Sequence, residues 1–200
     1  MNDMPNHDKY ENEIKNRSKI RFLLGAIARI KRYLIFSYNR SVAIRRGATV
    51  GENTNIPYSL AKKANANLII GNNVSIQSDK IDTRIKIIIG NNVIIGNNVE
   101  IITVSHNIHS PEWEHKYYGI EIEDYVWLAS NALILPSCRK IEYGAVVAAG
   151  SVVVKNVKRM SVVAGNPVVE INIRQNVHNN LIVEGLLGGD LMTYLNARKR

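Results

Sequence analysis

The chain has 200 residues, 46% hydrophobic and 22% charged, which is ordinary globular composition and enough for one domain with a real core plus appendages. Its net charge of +9 is unevenly placed: residues 1–50 hold 11 Lys/Arg against 4 Asp/Glu, residues 51–150 hold 8 against 10, and residues 151–200 hold 7 against 3. The middle of the chain is therefore not a basic surface, which argues against a nucleic-acid-binding core.

Cys138 is the lone cysteine and cannot form an internal disulfide, which fits a reducing, cytoplasmic setting. The polar N-terminus carries no signal-peptide pattern, and the best apolar run, Phe22 to Ala28, stops at Arg29, short of the roughly 18 residues of a membrane span. Residues 1–12 are polar and expected to be disordered. From Glu13 to Tyr38, Ile20, Leu23, Leu24, Ile27, Ile30 and Leu34 follow helical spacing, with Arg17, Lys19, Arg21, Arg29, Lys31 and Arg32 among them. Such a basic amphipathic helix either packs on its own domain or subunit neighbour, or lies on the inner face of an anionic membrane. Both readings stand.

A six-residue cycle then takes over. In Ile89-Gly-Asn-Asn-Val-Ile-Ile-Gly-Asn-Asn-Val-Glu-Ile101, isoleucine, Gly-Asn-Asn and valine each recur every six positions. Neither the period of a strand nor that of a helix gives this, but a short strand followed by a tight corner does, with Gly or Asn taking the left-handed corner. The hexads begin at Val50, slip by one residue between Ile76 and Ile89, and break after His106. Residues 107–119, with Trp113, Tyr117, Tyr118, Pro111 and Gly119, have no six-fold phase and read as a loop thrown out of the coil. The cycle resumes at Ile122, Leu128 and Ile134, which puts Cys138 at a small inward position. One extra residue precedes Ile141, and Gly165-Asn166-Pro167 ends the repeats. A strand or coil follows over Val168 to Arg174, then a tail whose final helix has Asp190 as its expected N-cap and Arg198-Lys199-Arg200 at its end.

The fold class is thus an all-β solenoid, a parallel β-helix of about six turns. Its expected parts are a polar tail and amphipathic helix (1–47), the coil with its loop (48–170), and a short C-terminal extension with a helical tail (171–200).

From Gly90 through Pro167 the chain resembles the hexapeptide-repeat acyltransferases, in particular their maltose, galactoside and polysaccharide O-acetyltransferase branch. The pieces are Ile89-Gly-Asn-Asn-Val93, Val104-Ser-His106, Asp124-Tyr-Val-Trp-Leu-Ala-Ser130, Ile134-Leu-Pro136, Ala148-Ala-Gly-Ser-Val-Val-Val-Lys155 and Val163-Ala-Gly-Asn-Pro167. The resemblance covers about residues 50–174. It implies a left-handed coil, a homotrimer with sites between subunits, acetyl-CoA as co-substrate with no tightly bound cofactor, and a carbohydrate acceptor.

Moving an acetyl group from a thioester to a hydroxyl requires a base for the alcohol proton, stabilisation of the oxyanion, and positioning of both substrates. A neutral imidazole suits the first task. The resemblance assigns it to His106, at the end of the hexad before the loop. It places Ser130 beside the thioester, with Trp127 shielding the centre or packing on the coil exterior. Ala148 and Ala149 are small enough for the pantetheine arm to pass, and Lys155 is a candidate for the nucleotide phosphates. Where the family arginine would follow Gly-x-Pro, Val168-Val-Glu170 stands instead, leaving Arg174 as the nearby substitute. Asp79 is the residue nearest the family's acceptor-binding asparagine. Trp113 and Tyr117 offer flat faces for a sugar ring, with His109 as a further acceptor contact. No metal is expected: the histidines of the loop are not spaced by a regular element and the cysteine is in the core.

Overall fold

The computed structural model describes residues 6–177 and 190–198. In chain order, helices α1 (Asn6–Lys15) and α2 (Lys19–Arg45) precede β1 (Thr49–Val50) and α3 (Tyr58–Lys63). The strands β2 (Leu68–Ile70), β3 (Ser75–Ile76), β4 (Ile87–Ile89), β5 (Ile94–Ile95) and β6 (Glu100–Ile101) follow. A hairpin of β7 (Val104–His106) and β8 (His115–Tyr117) leads to β9 (Ile120–Ile122), β10 (Trp127–Leu128) and β11 (Leu133–Ile134). Then come β12 (Lys140–Ile141), β13 (Val146–Val147), β14 (Val152–Val153), β15 (Ser161–Gly165), β16 (Val168–Ile173) and α4 (Asp190–Asn196).

The strands stack into three parallel faces: β1-β2-β4-β9-β12, then β3-β5-β10-β13-β15, then β6-β11-β14 extended by a bridge from Ile81 to Ile101. Consecutive strands in sequence lie on successive faces, so the chain coils as a triangular solenoid. Four turns are complete (β2-β3-Ile81, β4-β5-β6, β9-β10-β11 and β12-β13-β14), with a partial turn at each end. About six full turns were expected from length alone. The difference is chain diverted into α3 and the β7–β8 hairpin. Register partners one turn apart, such as Ile122 with Ile141 and Leu128 with Val147, are 19 residues apart, three hexads plus one. The extra residue falls at the corner between the third face and the first, and the hairpin leaves the coil at that same corner.

Inward residues form vertical ladders. Ile70, Ile89, Ile122 and Ile141 stack on one face, Ile95, Leu128 and Val147 on the next, and Ile101, Ile134 and Val153 on the third, all buried in one continuous core. Each such side chain contributes roughly 1.5–3 kcal/mol by leaving water. Cys138 lies in this core as expected, and burial pushes its thiol up to about 11. The division of labour within the hexad is sharper than the sequence suggested. Asn92, Asn98 and Asn131 occupy the left-handed corners (φ 57°, 59° and 61°), whereas Gly90 and Gly96 are not among the positive-φ residues. Those glycines are needed for close stacking: a Cβ on Gly90 would lie 2.8 Å from the Asp124 nitrogen of the next coil.

The segment after Pro167, expected as strand or coil, is a strand, β16, paired antiparallel with β15. Two other terminal features depart from expectation. The N-terminal segment, expected to be disordered, is helical from Asn6. Ile14 and Tyr10 pack against Ala26 and Tyr194, and the Tyr10 hydroxyl donates to Asp190 Oδ2 at 3.0 Å. Its order comes from contacts with the far end of the chain, which local composition does not report. Asp190 lies in the first turn of α4, and its carboxylate pairs with Arg29 Nε at 2.7 Å. Lys199 and Arg200, expected at that helix's end, lie outside the described residues.

The C-terminal half of α2 closes the first coil. Arg40 donates from Nε to Gly51 O at 2.7 Å and from Nη2 to Val50 O at 2.9 Å, and Asn39 donates to Ile56 O at 2.9 Å. These bonds cover an edge that would otherwise offer unpaired carbonyls.

Candidate active site

The outer surface of the second face carries a groove of about 600 Å³. Its floor is the outward row Ile94, Trp127, Val146 and Val162, and its wall is the corner formed by Gly96, Ser130, Ala148 and Ala149. Ile94 and Val146 are the register partners of Trp127 on either side. Four of the six residues expected to hold the donor are thus brought together. Trp127 lies outward and half exposed along this floor. Ser130 is half-buried, and its carbonyl accepts from Gly150 N at 3.0 Å. Its own amide N–H makes no hydrogen bond among the described residues, which leaves it available to an oxygen in the groove. Gly96 lets the preceding coil pass close by, since a Cβ there would come 2.8 Å from Ser130 N.

Lys155 and Arg174 are not in the groove lining. Lys155 borders a smaller cavity with Asn156, Lys158 and Glu170. Arg174 Nη1 donates to Tyr125 O at 2.9 Å and to Gly144 O at 3.3 Å, so its guanidinium ties β16 to the coil. Asp79, the residue nearest the family's acceptor-binding asparagine, is half-buried and is not among the residues lining the groove.

The second cluster is the β7–β8 hairpin. The segment read as a loop contains a short antiparallel pair in which His106 faces His115. The tip is closed by Ser110 N donating to Asn107 O and Trp113 N to Ser110 O, with Asn107 Nδ2 on Glu114 Oε1. His106 is exposed, and its Nδ1 lies 2.6 Å from the Trp113 carbonyl oxygen. A carbonyl only accepts, so Nδ1 carries a proton, and in the neutral ring the lone pair is on Nε2. The His115 ring packs 4.5 Å from that of His106, and Tyr117 stands 6.0 Å from His115. Trp113, Tyr117 and His109 are exposed on the same hairpin. Strand pairing is what puts His115 beside His106.

A buried clamp roots the hairpin. Thr103 is fully buried; its Oγ1 lies 2.8 Å from Asp82 Oδ2, its amide donates to the same oxygen at 3.3 Å, and its carbonyl accepts from Tyr118 N at 2.7 Å. Arg84 Nε donates to Asp82 Oδ1 at 2.8 Å. Burial alone would raise the Asp82 pKa, but the hydrogen bonds from Arg84 and Thr103 outweigh it and hold the carboxyl at about 2, against an ordinary 3.8. The folded pKa is depressed, so this stabilisation is complete above about pH 4 and fades as pH falls through about 2. Thr103→Val is expected to lower stability by about 1–3 kcal/mol at neutral pH, read as a shift in urea midpoint. It should also flatten part of the acid-side loss. An unchanged midpoint would mean that the clamp is not structural.

Among the described residues no three His, Cys, Asp or Glu side chains converge as a metal site. No family model matches the chain. Over 87 residues it is 34% identical to the galactoside O-acetyltransferase of Lactococcus lactis, across 40% of each chain. The chain spans between 40% and 53% of the length of the curated relatives it matches. A solved maltose O-acetyltransferase from Clostridium difficile superposes with a TM-score of 0.54 at 22% identity, over 85% of both chains. A hexapeptide-repeat acetyltransferase of Vibrio cholerae, solved with acetyl-coenzyme A, gives 0.50 at 22% identity over 85% of this chain and 86% of that one. At such identities the likeness is one of fold. The chain shares the hexapeptide-repeat solenoid of those acetyltransferases.

Proposed function

We propose that this solenoid is a left-handed coil working as an acetyl-CoA-dependent O-acetyltransferase, in a threefold assembly. The acceptor is a sugar hydroxyl of a bacterial surface polysaccharide or its precursor. The observation that carries the reading is the exposed His106 imidazole, held through Nδ1 by the Trp113 carbonyl with Nε2 free to take a proton. In the reaction, Nε2 removes the proton of the sugar hydroxyl as its oxygen attacks the thioester carbonyl. The tetrahedral oxyanion is met by the Ser130 amide. Collapse breaks the C–S bond, and the departing thiolate takes the proton back from the imidazolium.

The threefold assembly is supported by where the two clusters sit. His106 is not among the residues lining the groove. The hairpin springs from the corner between the third and first faces, while Ser130 and Ala149 are at the corner between the second and third. A neighbouring copy's hairpin over this groove would complete the site. Exposed Trp113 and Tyr117 would then stack on a sugar ring. The donor is a cytoplasmic metabolite, so the reaction belongs on the cytoplasmic side.

The test is a thermal shift with acetyl-CoA, followed by incubation with neutral sugars and amino sugars. Saturable stabilisation and an ester product cleaved by mild base are expected. An amide product would move the assignment to amino-sugar N-acetylation. No stabilisation by acetyl-CoA would leave a non-catalytic scaffold.

A further inference from the structure

Helix α2 packs with the wrong face for a helix that serves only the core. Its contacts with the rest of the chain run through Phe22, Ala26, Arg29, Asn39, Arg40 and Ala43. At 100° per residue these lie on one side. The apolar stripe read from the sequence lies mostly on the other side and is bare: Ile20 is 74% exposed, Leu24 62% and Leu34 60%, with Leu23 and Ile27 also above half and Ile30 exposed. From Ile20 to Leu34 the ridge runs about 21 Å along the helix axis. Scattered apolar residues on a surface need no explanation, but a continuous ridge does.

The charges on the helix say what covers it. From Lys19 to Arg45, α2 contains no acidic residue. Lys19 and Lys31 are exposed, at the edge of the ridge and within it. If two copies paired ridge to ridge, these cations would meet with no carboxylate on either helix to offset them. An anionic phospholipid surface instead provides hydrocarbon for the ridge and phosphates for its flanks. No described helix is long and apolar enough to cross a membrane, so a lipid contact through α2 would lie flat in the interface. We propose that the exposed ridge of α2 docks the protein on an anionic lipid surface, leaving the groove and the hairpin on the coil in water. The inference does not depend on the reaction assigned above.

Flotation of the full chain with lipid vesicles tests it. Vesicles of phosphatidylcholine mixed with phosphatidylglycerol should bind at least roughly tenfold more protein than phosphatidylcholine alone, with the difference shrinking at high salt. Leu24→Glu with Ile27→Glu should abolish flotation, and Lys19→Glu with Lys31→Glu should remove its dependence on phosphatidylglycerol. Circular dichroism and the thermal midpoint establish that each variant is folded, and Leu24→Ser with Ile27→Ser serves if the glutamates are not tolerated. Equal binding to both vesicle types overturns the charge argument. Failure of the folded wild type to float, with an oligomer that dissociates in the ridge variants, overturns the proposal and makes the ridge a contact between copies.

Discussion

Replacing His106 by alanine is expected to lower kcat by roughly two to four orders of magnitude, the usual worth of a positioned general base. The imidazole sits on an exposed hairpin that the coil does not need for its core, so the thermal midpoint should hardly move. The groove lies elsewhere on the coil, so stabilisation by acetyl-CoA should persist in the variant. That combination separates a lost base from a lost fold. His115→Ala removes a ring 4.5 Å away that packs against His106 but has no assigned proton to move, and it should cost less than tenfold. A large loss from His115 together with a small one from His106 would reverse the assignment. If hairpin and groove come from different copies, co-assembling His106→Ala with a groove-filling Ala148→Trp chain should restore part of the activity that each lacks alone. Absence of any restoration in verified mixed oligomers would place the whole site in one chain.

The coil was legible because its signal is periodic and local. Ile89, Ile95 and Ile101 announce three faces, and the asparagines between them announce left-handed corners. The groove's residues were named from the family resemblance, and the coil explains why they meet. Ser130 and Ala149 are 19 residues apart, one turn of this coil, and therefore occupy the same corner one level apart. What the sequence concealed is all long-range. The clamp of Asp82 on Thr103 joins an irregular stretch to the residue before the hairpin, and nothing in either segment's spacing marks it. The hairpin itself pairs only Val104–His106 with His115–Tyr117, too few residues for alternation to stand out among aromatics and charges. Helix α1 depends on Tyr10 reaching Asp190 across 180 residues. Arg174 was named as the nearby substitute for the arginine that the family carries after Gly-x-Pro, yet its guanidinium is engaged by backbone carbonyls of the coil.

Gly96→Ala should do more damage than its single methyl suggests, and it should do so in two places at once. The added Cβ would fall 2.8 Å from Ser130 N and 3.2 Å from the Ala129 carbonyl carbon. Both are backbone atoms of the next coil, which no side-chain rotation can move aside. The coils must separate locally, at a cost of about 1–3 kcal/mol for overpacking. The displaced group is the amide assigned to the oxyanion, and a shift of about 1 Å there costs roughly a hundredfold in rate. Gly150 provides the contrast. A Cβ at Gly150 meets nothing within 4 Å, but its φ of +68° is left-handed. Gly150→Ala should therefore cost roughly 1–2 kcal/mol through the backbone alone, and Gly150→Asn less, because asparagine tolerates that conformation. Neither should disturb the rate as Gly96→Ala does. Urea midpoints give the stability of each variant and steady-state kinetics its turnover. Equal effects of Gly96→Ala and Gly150→Ala on turnover would mean that close approach of the coils at Ser130 has no part in catalysis.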